Sequence, residues 1–266
     1  MKDDNLKMIG ILNLTPDSFY DGGRFFDDNK VNVNKALDHV KSLVEDGADV
    51  IDIGGESTRP GFKPISADEE LSRIIDVLKK IKENFDIPIS VDTYKPEVAK
   101  EAILAGADII NDIGFLPDDM LELIAEHDIK YCLMHNRNDI KCARNEITIT
   151  IEELNGEIHE KLRRIHKYGI NRDNVIIDPG IGFGKSNADD IMILKNMEVL
   201  KAHNYPVLIA VSNKTCIDYV LSAGKNERLE GTLAVTAKAF YSGIDYIRVH
   251  DVKANKKFLD MLRAIQ

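Results

Sequence analysis

Short apolar segments alternate with longer amphipathic segments about eight times along the 266 residues, and this alternation is what most constrains the fold. The apolar segments are rich in β-branched residues and almost continuously hydrophobic, which is typical of parallel strands buried on both faces. The predicted strands are Met8–Leu12, Val50–Ile53, Ile87–Val91, Asp108–Ile113, Ile129–Met134, Val175–Asp178, Pro206–Val211 and Ile244–Val249. Eight strand–helix units within about 250 residues favour an α/β fold, a TIM (β/α)8 barrel, with a doubly wound parallel sheet as the alternative.

The segments between the strands have helical periodicity. Apolar residues recur on one helical face within residues 71–81 and again within residues 151–165. Ser66 and Thr150 each precede a Glu by three residues, which predicts a capping box at the start of both helices. Since no Pro/Ser-rich linker interrupts the pattern, residues 1–266 are predicted to form a single domain with long loops after strands 1 and 2.

Composition and charge exclude several classes of function. The net charge of −10 and the absence of a Lys/Arg block argue against a nucleic-acid partner. No apolar run approaches the roughly 18 residues of a membrane span, so no membrane partner is expected. Cys132, Cys142 and Cys216 are too few and too scattered for a disulfide framework or a zinc site. Together with an acidic N-terminus unlike a signal peptide, these features predict a cytoplasmic protein.

Polar residues stand at the carboxyl end of nearly every predicted strand, where a barrel carries its chemistry. They are Asn13, Asp52, Asp92, Asn111, Asp112, His135, Asp178, Lys214, Arg248 and His250. Any one of them could be an ordinary turn residue, because Asn and Asp are common in turns. A whole ring of them predicts a polar pocket at the barrel mouth.

Two chemistries can be assigned within this ring. Lys214, Arg248 and His250 follow strands 7 and 8, where barrels frequently bind phosphate, and they concentrate positive charge on an acidic background. Asp92, Asn111 and Asp178 offer the acceptors and donors that suit a nitrogen heterocycle, although Asp92 could equally cap a helix.

Two loops complete the predicted pocket. Residues 179–186 miss the Walker spacing by one residue and are interpreted as a flexible loop in which Phe183 offers a flat face. The loop after strand 1 contains Asn13, Asp17 and Asp21, hard oxygen ligands that suit Mg²⁺ shared with substrate phosphates.

Six segments in family order resemble the dihydropteroate synthases, the pterin-binding TIM-barrel enzymes of the folate pathway. They are residues 10–19, 52–61, 91–93, 111–113, 178–185 and 248–252, which together extend over nearly the whole chain. The resemblance implies condensation of (7,8-dihydropterin-6-yl)methyl diphosphate with 4-aminobenzoate to dihydropteroate and pyrophosphate, with Mg²⁺ as cofactor. It also implies a homodimer.

The resemblance further implies a role for individual residues. By matching position, the metal ligands are Asn13 and Asp21, and the pterin-binding residues are Asp92, Asn111, Asp178 and Lys214. The diphosphate-binding residues are Thr58, Arg59, Arg248 and His250, and the aminobenzoate pocket is shaped by Phe19, Pro60, Phe183 and Thr215. The residues expected to act directly in catalysis are Asp92, Lys214, Arg248 and His250.

Three positions depart from the family pattern. Asn213 replaces an arginine, Asn136 replaces a methionine and Tyr20 replaces a serine, and these changes lie toward the aminobenzoate side. Two other functions compete with the synthase: a pterin-barrel methyltransferase of the methyltetrahydrofolate:corrinoid type, and a module that binds pterin without catalysis. The methyltransferase has no diphosphate to bind, and the residues that argue against it are Lys214, Arg248, His250, Thr58 and Arg59.

Overall fold

The computed structural model describes residues 6–16, 23–28, 30–57, 63–137, 148–224 and 227–265. Several residues named above lie outside these ranges: Asp17, Phe19, Tyr20, Asp21, Thr58, Arg59, Pro60 and Cys142. Within the described ranges, no helix combines the length and the hydropathy that a membrane crossing requires.

The described residues contain eight parallel strands that close into a barrel. They are β1 (Lys7–Asn13), β2 (Val50–Gly54), β3 (Ile89–Asp92), β4 (Ile109–Asp112), β5 (Lys130–Met134), β6 (Val175–Asp178), β7 (Leu208–Ile209) and β8 (Tyr246–Val249). Each strand pairs with its neighbours in chain order, and β8 pairs with β1. The ring closes between β6 and β7, where the Ile177 N–H donates to the Pro206 carbonyl at 2.8 Å. This closure confirms the TIM barrel and excludes the doubly wound sheet, which would leave two open edges.

Helices surround the barrel. They are α1 (Val33–Glu45), α2 (Ala67–Asn84), α3 (Pro96–Leu104), α4 (Asp118–His127), α5 (Ile151–Lys167), α6 (Asn187–Lys195), α7 (Thr215–Leu221), α8 (Leu229–Ser242) and α9 (Val252–Ala264). Two 3₁₀ helices (Arg172–Asn174 and Met197–His203) and a short antiparallel hairpin (Phe26–Asp27 with Lys30–Val31) complete the described elements. The long connections from β1 to α1 and from β2 to α2 agree with the predicted long loops.

The two predicted helix starts differ in detail. Thr150 and Glu153 form a complete capping box, in which each side chain accepts a hydrogen bond from the other's backbone N–H. Ser66 accepts from the Glu69 N–H at 3.1 Å, but Glu69 does not return the bond, because its carboxylate pairs with Arg73 at 2.6 Å. The capping box predicted at Ser66 is therefore only half formed.

The seventh strand is shorter than predicted. The strand β7 comprises only Leu208–Ile209, with Val207 joined to Ile177 by a single bridge, whereas the apolar pattern predicted a strand from Pro206 to Val211. Pro206 has no N–H to give to the sheet, so it contributes only the carbonyl that receives Ile177.

The barrel interior below the site is apolar. Seven buried side chains form a cluster separate from the main core: Ile9, Val50, Ile109, Cys132, Ile176, Leu208 and Tyr246. Side chains two residues apart on a strand point the same way, so the residues two positions beyond Val50, Ile109, Ile176 and Tyr246 also face inward. These are Asp52, Asn111, Asp178 and Arg248. The strands thus change from apolar to polar within the barrel, and the pocket has an apolar floor.

Candidate functional site

The centre of the barrel mouth is an ionic triad of Arg248, Asp52 and Asp92. Arg248 Nε donates to Asp52 Oδ2 at 2.5 Å and Nη2 donates to Asp92 Oδ2 at 3.1 Å. Burial alone would lower the pKa of Arg248, but the two carboxylates outweigh it and raise that pKa. The guanidinium is therefore permanently charged and held by two acids. Asp52, which the sequence placed among the polar strand ends but not among the site residues, is its closer partner.

Asp92 is the carboxylate of this triad whose pKa is raised. Burial raises its pKa to about 7, with the positive charge of Arg248 opposing and the negative charges of Asp52 and Glu70 adding to the increase. Its Oδ1 is buried without a hydrogen-bond partner among the described residues. An orphaned buried acceptor of this kind is costly, so the site is built for a donor that the described protein does not supply.

Asn111 and Asp178 extend the polar wall. Asn111 lies beside Asp92 in the register of β4 with β3, and its carboxamide bonds to no described group. Asp178 ends β6, and its Oδ1 accepts from the Gly180 N–H at 2.7 Å, while Oδ2 accepts from no described group. Burial raises the pKa of Asp178, and Lys214 opposes that shift. Two neighbouring strands, β3 and β4, and the nearby β6 thus present unused acceptors at the same rim of the barrel.

Lys214 and Phe183 lie together in the loops that follow β7 and β6. Lys214 Nζ lies 5.0 Å from the centre of the Phe183 ring and donates to the Ile181 carbonyl at 2.6 Å. Burial lowers the pKa of Lys214, whereas Asp178 and Asp190 favour its charged form. The next residue, Thr215, is exposed at the start of α7. The flat face expected of Phe183 is therefore present, with a cation above it.

His250 is held by the loop after β7. Its Nδ1 lies 3.0 Å from Ser212 Oγ, which also accepts from the His250 backbone N–H at 3.2 Å. This contact brings the ends of β7 and β8 together. The expected surplus of positive charge is smaller than the sequence suggested, because the charge of Arg248 is already matched by Asp52 and Asp92.

Two of the polar strand ends do not face the pocket. Asp112 is buried and accepts from the N–H groups of Gly114 and Leu116 and from Tyr131 Oη at 2.5 Å. His135 Nε2 lies 2.7 Å from Glu157 Oε2 on α5. Burial lowers the pKa of His135 to about 3, so the ring is neutral and Nε2 carries the proton. Both residues stabilise the outer layer, and the prediction that they line the pocket is wrong.

The two described departures from the family pattern have local explanations. Asn213 has φ +59°, a left-handed conformation that Asn tolerates better than most residues, and its carbonyl accepts from Arg228 at 2.9 Å. Asn136 Nδ2 donates to the Ile113 carbonyl at 3.2 Å and so connects the loops after β4 and β5.

Asn13 is the described residue that could contact a metal. No group of three or more His, Cys, Asp or Glu suited to a metal occurs among the described residues. The Asn13 carboxamide is half-buried and bonds to no described group. An accessible hard oxygen fits Mg²⁺, which takes few protein ligands and shares its shell with water and phosphate. Asp21, like Thr58 and Arg59, lies outside the described residues.

Comparisons with known proteins agree with this geometry. The family described as pterin binding enzyme matches residues 9–250. A dihydropteroate synthase of Clostridium beijerinckii is 43% identical over 257 residues, 96% of this chain and 92% of its own length. The chain belongs to the dihydropteroate synthase family. Members of this family are transferases of folate biosynthesis, so the predicted family and function are confirmed.

Solved structures of family members extend the comparison to the fold. A Clostridium difficile dihydropteroate synthase crystallised in the presence of pteroic acid has a TM-score of 0.89 and 40% identity, with 100% of this chain and 99% of that chain covered. A Xanthomonas albilineans dihydropteroate synthase with 4-aminobenzoic acid has a TM-score of 0.89 and 36% identity, with 99% and 94% covered. The barrel is therefore shared across its full length.

Proposed function

We propose that this chain condenses (7,8-dihydropterin-6-yl)methyl diphosphate with 4-aminobenzoate in a reaction that uses Mg²⁺. The observation that carries the residue assignment is the set of unused polar groups on Asp92, Asn111 and Asp178. A pterin presents an amino group and ring N–H groups in one plane, and these donors match a carboxylate that accepts two parallel hydrogen bonds. Family members with pteroic acid and with 4-aminobenzoic acid support the substrate class.

The proposed reaction exchanges one bond for another at the exocyclic methylene. The C–O bond to the diphosphate breaks with its electron pair leaving on oxygen, and the amine lone pair forms the C–N bond. The nitrogen then loses a proton to solvent. The positive charge that develops on the pterin is stabilised by Asp92 and Asp178, while Lys214, Arg248 and His250 stabilise the departing anion. Aromatic amines are weak nucleophiles, so positioning of the amine should matter more at that end than a general base.

Mg²⁺, when bound, neutralises charge on the leaving diphosphate. Asn13 would hold it, with Asp21 as the second protein ligand that the sequence suggests. The cytoplasmic location stays a prediction from the sequence.

One assay tests the proposed reaction. Purified protein is incubated with the pterin diphosphate, Mg²⁺ and 4-aminobenzoate, and both products are measured. Equal amounts of dihydropteroate and pyrophosphate support the synthase. Pyrophosphate alone would mean that the aminobenzoate pocket has changed. Binding of the pterin diphosphate without either product would leave the chain as a pterin-binding module.

Removal of the metal is expected to stop this reaction, and Asn13→Ala should raise the Mg²⁺ concentration needed for half-maximal rate by at least about 10-fold. Loss of even an outer-shell partner commonly costs about 10- to 100-fold in metal affinity. The measurement is the initial rate against added Mg²⁺ after treatment with EDTA. Asn84→Ala, at the exposed end of α2, is the control. An unchanged Mg²⁺ requirement in Asn13→Ala would remove Asn13 from the metal site.

A homodimer is the other part of the proposal, and α7 and α8 provide the surface that supports it. Tyr219, Val220 and Leu221 on α7 and Tyr241 on α8 are large apolar side chains, each about half exposed or more. Three consecutive exposed apolar residues on α7 mark an interaction surface, and a second copy of the chain is its proposed occupant.

Val220→Asp combined with Leu221→Asp is therefore expected to convert the dimer to a monomer. Burying two unpaired carboxylates at the interface carries a large desolvation cost, which opposes association of the two copies. Light scattering on a size-exclusion column measures the mass directly. The control is Leu104→Asp on α3, which replaces an apolar residue that is at least as exposed as Val220 and Leu221. This substitution should leave the mass unchanged. A dimer that survives the double substitution would place the interface elsewhere.

A further inference from the structure

Lys185 is a fully buried cation whose hydrogen-bond partners are backbone carbonyls. Its side chain has no exposed surface. Nζ donates to the carbonyls of Gly180 at 2.9 Å, Phe183 at 2.9 Å and His135 at 3.1 Å. An ammonium has three N–H donors and no acceptor, so these three carbonyls satisfy it completely.

These contacts fasten the turn of residues 179–184 to the end of β5. Two of the three carbonyls belong to the turn, and the third follows the neighbouring strand. Lys214 takes a further carbonyl of the same turn, that of Ile181. The amides of Gly180 and Gly182 donate to the carboxylates of Asp178 and Asp190 at 2.7 and 2.8 Å. Both N–H groups and carbonyl groups of the turn are therefore held by hydrogen bonds. The sequence had predicted a flexible loop here, and the structure shows a well-anchored turn instead.

The buried charge is expensive to keep. Burial lowers the pKa of Lys185 to about 7, although the negative charges of Asp190 and Asp178 favour the protonated form. An apolar side chain of similar length would avoid this desolvation. An apolar side chain could not donate hydrogen bonds to the three carbonyls that converge on Nζ. Two of these carbonyls belong to Gly180 and Phe183, so their position determines where the Phe183 ring lies.

We infer that Lys185 is a positioning residue for the aminobenzoate pocket. It holds the turn so that the Phe183 ring, with Lys214 above it, forms one wall for the second substrate. This inference rests on the proposed function, since it assigns Phe183 to the aminobenzoate side. Lys185 itself contacts neither substrate; it acts through the turn.

The test is a double-mutant cycle on the steady-state rate with each substrate varied in turn. Lys185→Met should raise the KM for 4-aminobenzoate by about 10-fold or more, and the affinity for the pterin diphosphate should change by less than about 3-fold. Residues in contact are non-additive. In a Phe183→Ala background, Lys185→Met should therefore add little to the KM for 4-aminobenzoate. Lys201→Met, which removes a contact with Asp245 at the other end of the barrel, should leave both values unchanged.

Other results would overturn the inference. A merely structural role predicts a lower melting temperature and a smaller active fraction, with both substrate affinities unchanged in the folded enzyme. Additive effects of Lys185→Met and Phe183→Ala would also contradict it. If Lys185→Met does not fold, Lys185→Gln, which keeps two N–H donors, is subjected to the same measurements and the same criteria. An inactive wild-type protein would instead count against the proposed function.

Discussion

Replacing Asp178 with Asn should lower kcat/KM for the pterin diphosphate by about 100- to 1,000-fold while the protein stays folded. The two carboxylate oxygens have different tasks. Oδ1 accepts from the Gly180 N–H, a bond that the Asn oxygen can keep, whereas Oδ2 accepts from no described group. The amide nitrogen that replaces Oδ2 would meet a substrate N–H donor. Loss of a charge-assisted hydrogen bond together with donor–donor repulsion amounts to about 3–4 kcal/mol, which corresponds to that range of rates.

The measurement is kcat/KM for the pterin diphosphate together with its affinity by calorimetry. Asp260→Asn on the exposed face of α9 provides the control, since the same chemical change there is far from the pocket. An Asp178→Asn enzyme with wild-type kinetics would exclude Asp178 from pterin binding. A greatly lowered unfolding midpoint together with an unchanged affinity for the pterin diphosphate would show that the Asp178 carboxylate stabilises the fold rather than the bound substrate.

Gly180→Ala should destabilise the protein strongly and abolish turnover. Gly180 has φ +68°, and a Cβ placed there would lie 1.9 Å from the His135 carbonyl oxygen. The left-handed conformation alone costs an L-residue roughly 1–2 kcal/mol. The overlap cannot be relieved by rotating a side chain, because the opposing atom is backbone. The turn must therefore move away from β5, which breaks the contacts that Lys185 and Asp178 make with it.

Gly169 offers a matched control for this substitution. It has φ +75°, yet a Cβ there would meet no heavy atom within 4 Å. Gly169→Ala thus carries the conformational cost without the overlap. In urea unfolding, Gly180→Ala should lose at least about 2 kcal/mol more than Gly169→Ala. Equal losses for the two variants would mean that the turn adjusts at no cost and that its position is not fixed.

The fold and much of the site could be predicted because each depends on a local pattern. The apolar strands and the helical faces between them determine a barrel, and the carboxyl ends of barrel strands lie at one rim. Asp178 and Arg248 follow directly from that geometry. The ends of β7 could not be predicted in this way, because the hydrogen bonding of Pro206 depends on how the neighbouring strand β6 is placed.

It was harder to predict from the sequence whether a single side chain at the rim points into the barrel or away from it. Asn111 and Asp112 are adjacent, so one points into the barrel and the other out, and strand alternation could have separated them. The partnership of Asp52 with Arg248 depends on the closure of the sheet, which brings residues 196 positions apart into contact. Lys185 was inconspicuous because its partners are carbonyls, which every residue has.

Because Asp52 and Asp92 share one guanidinium, that of Arg248, the charge of Arg248 is largely neutralised and attracts a metal-free anion only weakly. When Asp92 is ionised, the carboxylates of Asp52, Asp92 and Asp178 outnumber the cations Arg248 and Lys214 among the described residues at the centre of the site. A phosphate ester that arrives alone meets an unmatched negative charge. The same ester accompanied by a divalent ion brings its own neutralisation. If the ester and the ion bind together, as proposed above, the affinity for each depends on the concentration of the other.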